Sequence, residues 1–167
     1  KAPLTLEGLS LVDLLTRVRE TSAPPQQRLD ALAEAARMIQ PGASEQDVTS
    51  IVETLFALAA QTRAPQSPVR GPARTHLVEA ARRTPFVGKT LVPVFHGARA
   101  RAGSFSESHR AVNVPDALSL FLELFKEGQL SQESQRDVAR MIITLLRLPI
   151  RREDYDQDVA LQKAKGF

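Results

Sequence analysis

The sequence predicts an all-α fold, a bundle or short α-solenoid of five to six helices. Apolar residues recur at spacings of three and four in several segments, which is typical of amphipathic helices. The core must be built from Leu, Val, Ile and Ala, because tryptophan is absent and aromatic residues make up only 5% of the chain. The one segment rich in β-favouring residues, 84–96, contains Pro93 and has no partner strand.

The size and composition indicate one globular domain. The chain has 167 residues, of which 43% are hydrophobic and 25% charged, and its net charge is +3. Without cysteine it forms neither disulfides nor thiolate metal sites, and no apolar run approaches the roughly 18 residues of a membrane span. Because the chain begins with Lys1, we expect a fragment or a processed form. A cytoplasmic or nuclear-type compartment is favoured.

The N-terminal part, residues 10–62, predicts three helices. The second starts after Pro24, since proline is tolerated in the first turn of a helix. The first and third start with capping boxes, in which a serine oxygen accepts the amide proton three residues later. These boxes are Ser10 with Asp13 and Ser44 with Asp47.

Residues 114–149 predict a helical hairpin. Its first helix starts at Pro115 and Asp116, and its second starts at Ser131 or Ser134, where Ser134 would form a capping box with Asp137. Both helices are apolar on more than one stripe, so we expect them to be central, with other helices packed around them. Residues 150–167 form a polar tail.

The sequence of residues 63–113 predicts a basic segment that connects the N-terminal helices to the hairpin. We expect it to be irregular, including residues 84–96, apart from one short helix at about 72–83.

An internal repeat is a further hypothesis. Segments 44–58 and 134–148 share a serine, then Asp-Val three residues later, then apolar residues in the same register. The chain would then contain two related αα-hairpins, 24–60 and 114–148, which stack on each other. The alternative is that capped amphipathic helices converge on such patterns, and no named repeat signature fits.

Motifs for catalysis and for cofactors are weak. Gly88-Lys89-Thr90 ends like a phosphate-binding loop, but Arg83 stands where that motif needs its first glycine, and Pro93 follows closely. Chance is the better explanation.

Metal and acid–base sites are equally weak. His76, His96 and His109 are not at ligand spacing, and no serine lies in a nucleophile elbow. Acidic residues in the polar tail are expected to be solvated. We therefore expect a protein that is not an enzyme, with no catalytic residue, no metal and no cofactor.

The distribution of charge is the most specific signal. Residues 63–110 hold nine basic and two acidic residues, a net charge of +7 that leaves −4 for the remainder. Arginine guanidinium groups pair with phosphates and carboxylates, so this segment is a candidate contact for a polyanion or an acidic partner. The alternative is a solvated loop with incidental arginines. The candidate contact residues are Arg70, Arg74, Arg82, Arg83, Lys89, Arg99, Arg101 and Arg110.

Ser104 is a candidate phosphorylation site. It follows Arg99 and Arg101 in a pattern that basophilic kinases prefer, although such short patterns also arise by chance.

These observations favour a non-catalytic helical protein-interaction module, an adaptor, assembly or regulatory protein. Its expected partner is another protein, docked in a groove between helices. Self-association into a homo-oligomer is also compatible with these observations. The alternative function is a nucleic-acid-binding protein that uses residues 63–110.

Overall fold

The computed structural model describes residues 9–61, 67–84, 86–101, 114–127 and 130–147, and within them the fold is all-α, as predicted. These ranges contain no strand, and none of their helices is long and apolar enough to cross a membrane. They hold seven α-helices rather than five or six. The helices are α1 Leu11–Arg19, α2 Pro25–Arg37, α3 Glu45–Phe56, α4 Arg70–Arg83, α5 Phe86–Arg101, α6 Val114–Glu127 and α7 Gln132–Leu146, and a π-helical turn, Ala57–Gln61, continues α3.

Local sequence determines how the first three helices begin. The Asp13 amide donates to Ser10 Oγ at 3.2 Å, and the Asp47 amide donates to Ser44 Oγ at 3.2 Å. Both serine caps are thereby confirmed, and α2 begins at Pro25. Between α2 and α3, Gly42 has a φ of +93°, which glycine adopts without a steric penalty.

Of the two predicted starts of α7, the one at Ser131 is confirmed and the one at Ser134 is not. Ser131 is the N-cap, and its Oγ accepts the Ser134 amide proton at 3.2 Å. Ser134 lies inside the first turn and is buried, so the predicted capping box of Ser134 with Asp137 is wrong. Ser134 therefore packs in the interior, and Ser131 caps the helix.

Helix α3 lies at the centre of the core. Six of its twelve residues are buried, and it packs against α1, α4 and α5. Phe56, at its C-terminal end, meets Phe95 of α5 and Phe121 of α6 in a fully buried cluster. The ring centroids of Phe95 and Phe121 are 5.3 Å apart, in an edge-to-face arrangement.

Helix α5 is where an irregular conformation was predicted, and that prediction is wrong for residues 86–96. Pro93 lies inside the helix, but its side chain is exposed, on the solvent side where a lost backbone hydrogen bond is least costly. Val87, Leu91, Val94 and Phe95 form a helical stripe that is buried. Burial of this stripe outweighs the β preference of valine and phenylalanine.

The two predicted hairpins are not equivalent. Helices α6 and α7 pack against each other, whereas α2 packs mainly against α1 and α4 rather than against α3. Ser44 is an N-cap, but its counterpart Ser134 lies one turn into its helix. The repeat hypothesis is therefore not confirmed, and the shared pattern fits two capped amphipathic helices.

Gly88 permits the close approach of α5 to α7. A Cβ atom at Gly88 would lie 2.9 Å from Ser134 Cβ, whereas a Cβ atom at Gly71 in α4 would meet no atom within 4 Å. We expect Gly88→Ala to lower the free energy of unfolding by about 1–3 kcal/mol through overpacking. Gly71→Ala should raise it by up to about 1 kcal/mol, because it only removes backbone freedom from the unfolded chain.

Thermal unfolding of both variants, followed by circular dichroism, tests this prediction. Opposite shifts in Tm are expected. A Gly88→Ala protein as stable as the Gly71→Ala protein would contradict the close contact between α5 and α7.

Candidate functional site

Three of the predicted contact arginines line the side of α4 that faces α6. Arg70 forms an ion pair with Asp116, and Arg74 forms one with Glu123. Arg82 donates from Nε to the backbone oxygen of Glu127 at 2.6 Å, and its Nη2 lies 3.4 Å from a carboxylate oxygen of the same residue. The structure therefore gives these arginines carboxylate partners within the fold.

The order of the pairs shows how the two helices run. From Arg70 to Arg82 the chain rises by roughly 18 Å along α4, and from Asp116 to Glu127 it rises by roughly 17 Å along α6. Partners advance together along both helices, so α4 and α6 are parallel. Helix α5 lies between them in the sequence.

The remaining candidate contacts lie elsewhere. Arg83 points away from α6 and donates from Nη2 to the Ala36 backbone oxygen of α2 at 2.9 Å. Lys89 is exposed on α5 and has no ion pair among the described residues. Arg99 and Arg101 belong to the last turns of α5. Arg110 and the candidate phosphorylation site Ser104 lie outside the described residues.

Folding therefore brings part of the basic segment into contact with part of the acidic remainder. The basic segment supplies the arginines, and α6 of the acidic remainder supplies the carboxylates. A cation that already has a carboxylate partner offers less net attraction to an external polyanion, because the partner must be displaced or tolerated. Among the described residues, the candidate arginines do not form one basic surface that lacks acidic neighbours.

A groove of about 480 Å³ runs between α4 and α6. Arg74 and Arg82 line one wall, and Glu123 and Lys126 line the other. Leu122 is the apolar residue in the groove, and 52% of its surface is exposed. The groove thus offers charges of both signs beside one apolar contact.

The α6–α7 hairpin exposes four large apolar side chains. Leu122 and Phe125 of α6 are 52% and 45% exposed, and Ile143 and Leu146 of α7 are 49% and 66% exposed. We call these four the hairpin apolar residues. Each pair has a spacing of three, which places its members on one side of their helix.

The prediction that both hairpin helices are central is therefore wrong. Leu120, Phe121 and Leu124 face the core, but the other apolar side of α6 is open to solvent. An apolar excess beyond one stripe fits either a central helix or a peripheral helix with an uncovered face. The excess of apolar residues is visible in the sequence, but composition alone does not distinguish a central helix from a peripheral helix with an uncovered face.

The candidate catalytic groups remain dispersed. Gly88, Lys89 and Thr90 lie inside α5 rather than in a loop. His76 is partly buried on α4, and its burial lowers its pKa, while Glu79 opposes this shift and Arg83 and Arg37 add to it. Among the described residues, no three His, Cys, Asp or Glu side chains approach closely enough to hold a metal ion. His109 lies outside these residues.

Comparisons with known proteins found no match: no family model, no curated protein and no solved structure is similar to this chain. The function is therefore inferred from the geometry of the described residues.

The ion pairs between α4 and α6 should differ in strength according to their exposure. The Arg70 side chain is 14% exposed, whereas that of Arg82 is 43% exposed. Arg70→Gln should reduce the free energy of unfolding by about 1.5–3 kcal/mol, the range for a hydrogen bond to a charged group. Arg82→Gln should cost less than about 1 kcal/mol, because water screens the exposed pair.

Urea unfolding followed by circular dichroism measures both losses. A smaller loss for Arg70→Gln than for Arg82→Gln would show that the pair with Asp116 does not hold α4 to α6.

Proposed function

We propose that this chain is a non-catalytic helical protein-interaction module that docks an amphipathic helix of another protein on its α6–α7 hairpin. The observation that supports the proposal is the exposure of the hairpin apolar residues. Six large apolar side chains are exposed among the described residues, and four of them belong to this hairpin. The other two, Val12 and Met38, belong to different parts of the fold.

The energetic argument rests on burial. Transferring one Leu, Ile or Phe side chain from water to an apolar contact contributes about 1.5–3 kcal/mol. Four partly exposed side chains retain a substantial part of this contribution for a partner. Amphipathic helices bind by placing apolar residues of spacing three and four into such a surface, and the charges of the adjoining groove would orient them.

The alternative function, a nucleic-acid-binding protein that uses residues 63–110, has less support. Arg70, Arg74 and Arg82 have carboxylate partners on α6, and Arg83 binds a backbone oxygen. Lys89 is the described candidate that is exposed and has no ion pair or backbone partner among the described residues. Phosphate binding by the paired arginines would compete with contacts that hold α4 to α6.

Capture experiments with matched variants test the protein-interaction proposal. The immobilised chain is incubated with an extract of the cells that produce it, in parallel with Leu122→Asp/Leu146→Asp and with Val12→Asp. Val12 is 72% exposed on α1, so it controls for a charge placed at an exposed apolar position. A true partner should be retained by the wild-type chain and the Val12→Asp variant only.

The affinity of each recovered protein is then measured by calorimetry after purification. The hairpin variant should bind at least about tenfold more weakly, a loss of about 1.4 kcal/mol. Light scattering on the purified chain identifies a second copy as the partner, by a molar mass that falls in the hairpin variant. Equal binding by all three chains, or a monomer that retains no protein, would overturn the proposal.

A salt titration separates the two functions. If the arginines are occupied within the fold, binding to random DNA and RNA should be weak at low salt, with a logarithmic salt dependence corresponding to fewer than about three phosphate contacts. A steep salt dependence that Lys89→Ala and Arg74→Ala each reduce would favour nucleic-acid binding.

A further inference from the structure

The C-terminal half of α7 presents exposed apolar side chains between two exposed arginines. Ile143 and Leu146 are 49% and 66% exposed, and Arg140 and Arg147 stand on either side of them in the sequence. Successive residues of a helix turn by about 100°, so Arg140, Ile143 and Arg147 lie within about 60° of one another, on the side of α7 that faces away from its buried residues. Leu146 adjoins them. We call these four residues the α7 end surface.

The charge of the α7 end surface is positive, although the hairpin as a whole is not basic. Residues 138–147 contain two arginines and no acidic residue, whereas residues 114–147 contain five acidic and four basic residues. Asp137 lies 3.9 Å from Arg140, but the Arg140 side chain is 79% exposed, so this pair contributes little. Glu133 lies in the first turn of α7, about 10 Å from Arg140 along the helix axis.

The neighbouring helices leave this charge in place. Four residues connect α6 to α7, so the two helices are antiparallel, and the N-terminal half of α6 lies beside the C-terminal half of α7. The acidic residue in that half of α6, Asp116, forms an ion pair with Arg70 of α4. Helix α5, which also packs on α7, contains no acidic residue.

A local positive charge of this kind favours a narrow acidic ligand over a broad anionic surface. A membrane or a nucleic-acid backbone presents its phosphates to the whole hairpin, where the carboxylates outnumber the cations. A single helix packed along the C-terminal half of α7 meets the two arginines and avoids most of these carboxylates. It also brings apolar side chains to Ile143 and Leu146, as nucleic acid does not.

The spacing of the arginines determines the pattern that a partner helix needs. Arg140 and Arg147 are seven residues apart, a rise of about 10 Å or two helical turns. In helices packed nearly parallel, residues seven apart return to the same side, and charged residues beside an apolar seam pair across the contact. The matching helix therefore carries two carboxylates seven residues apart, with apolar residues at the third and fourth positions after the first carboxylate.

We infer that the partner helix is acidic, that its carboxylates pair with Arg140 and Arg147, and that its apolar residues cover Ile143 and Leu146. The inference deepens the proposed function and rests on it, because it names the chemical class of the docked helix and the part of the hairpin that selects it. Burial of the apolar residues supplies the affinity, and the bidentate pairing of guanidinium with carboxylate supplies the selectivity and the register.

A second copy of this chain does not offer this pattern in its described helices. Two pairs of acidic residues in them are seven apart, Asp13 with Glu20 and Asp116 with Glu123. The first pair has polar residues at the third and fourth positions, and in the second pair the fourth position is Leu120, which is fully buried. The acidic helix therefore belongs to a different protein.

Two synthetic peptides test the inference on the full chain. Each is an alanine-rich helix of about 20 residues, long enough to be partly helical alone. Both have leucines at the two apolar positions of the pattern, and the flanking positions are glutamate in the acidic peptide and lysine in the basic one. One tryptophan on the apolar side reports binding by its emission shift, because the chain has no tryptophan.

The chain should bind the acidic peptide at least about tenfold more tightly than the basic peptide at low salt, and added salt should reduce this difference. Arg140→Glu/Arg147→Glu should reverse the preference, and Arg140→Gln/Arg147→Gln should abolish it. Lys89→Glu/Arg37→Glu, which changes the net charge equally at exposed positions outside the hairpin, should preserve it. Circular dichroism checks that each variant is folded, and the glutamine pair keeps the test decisive if the charge reversal unfolds the chain.

Three results would overturn the inference: equal binding of both peptides, no binding of the acidic peptide, or a preference that Arg140→Glu/Arg147→Glu leaves intact. Displacement of the acidic peptide by phosphatidylserine vesicles, but not by phosphatidylcholine vesicles, would assign the surface to a membrane and also overturn it.

The proposed function is read separately. Peptides that bind equally, and that Leu122→Asp/Leu146→Asp both releases, would contradict the acidic partner and leave the docking of a helix supported. A chain that discriminates between the peptides but retains no protein in the capture experiment would support the selectivity of the α7 end surface and contradict the proposed function.

Discussion

The fold depends on one aromatic cluster, which joins α3 to α5 and α6. Phe56 ends α3, and it packs edge-to-face on Phe95 at 6.3 Å and stacks on Phe121 at 6.1 Å. All three rings are fully buried. Such pairs contribute about 0.5–1.5 kcal/mol each beyond the burial of their area. Their larger effect is geometric, because one residue of α3 fixes the position of both α5 and α6.

Some of the arginines serve to join the helices. Every helix ends with backbone oxygens that lack partners within the helix, and in a bundle some of these ends are covered by neighbouring helices. Arg28 donates to the Val18 oxygen at 3.0 Å, Arg83 to the Ala36 oxygen and Arg82 to the Glu127 oxygen. Each guanidinium group thus supports the C-terminal end of another helix, where a positive charge is also favourable. A cluster of arginines in a sequence can therefore be a device for joining helices.

Sequence reasoning succeeded where the determinants are local. Ser10 and Ser44 cap their helices through contacts three residues away, and such contacts are visible in the sequence. It failed for α5, because Pro93 and the valines oppose a helix locally, and only the burial of the whole stripe, from Val87 to Phe95, favours one. It also missed the open side of α6, since an uncovered apolar face and a central helix have the same composition. The partners of the arginines on α4 are more than forty residues away and leave no local pattern.

The aromatic cluster and the ion pairs to α4 also fix the position of the proposed binding surface. Helix α6 is held on one side by the ion pairs to α4 and at its centre by Phe121, so its position does not depend on what covers Leu122 and Phe125. A surface that is fixed before binding avoids much of the ordering cost that a partner would otherwise have to offset. Exposed apolar residues on a fixed helix are also prone to non-specific association, so a specific partner that covers them would remove this liability as it binds.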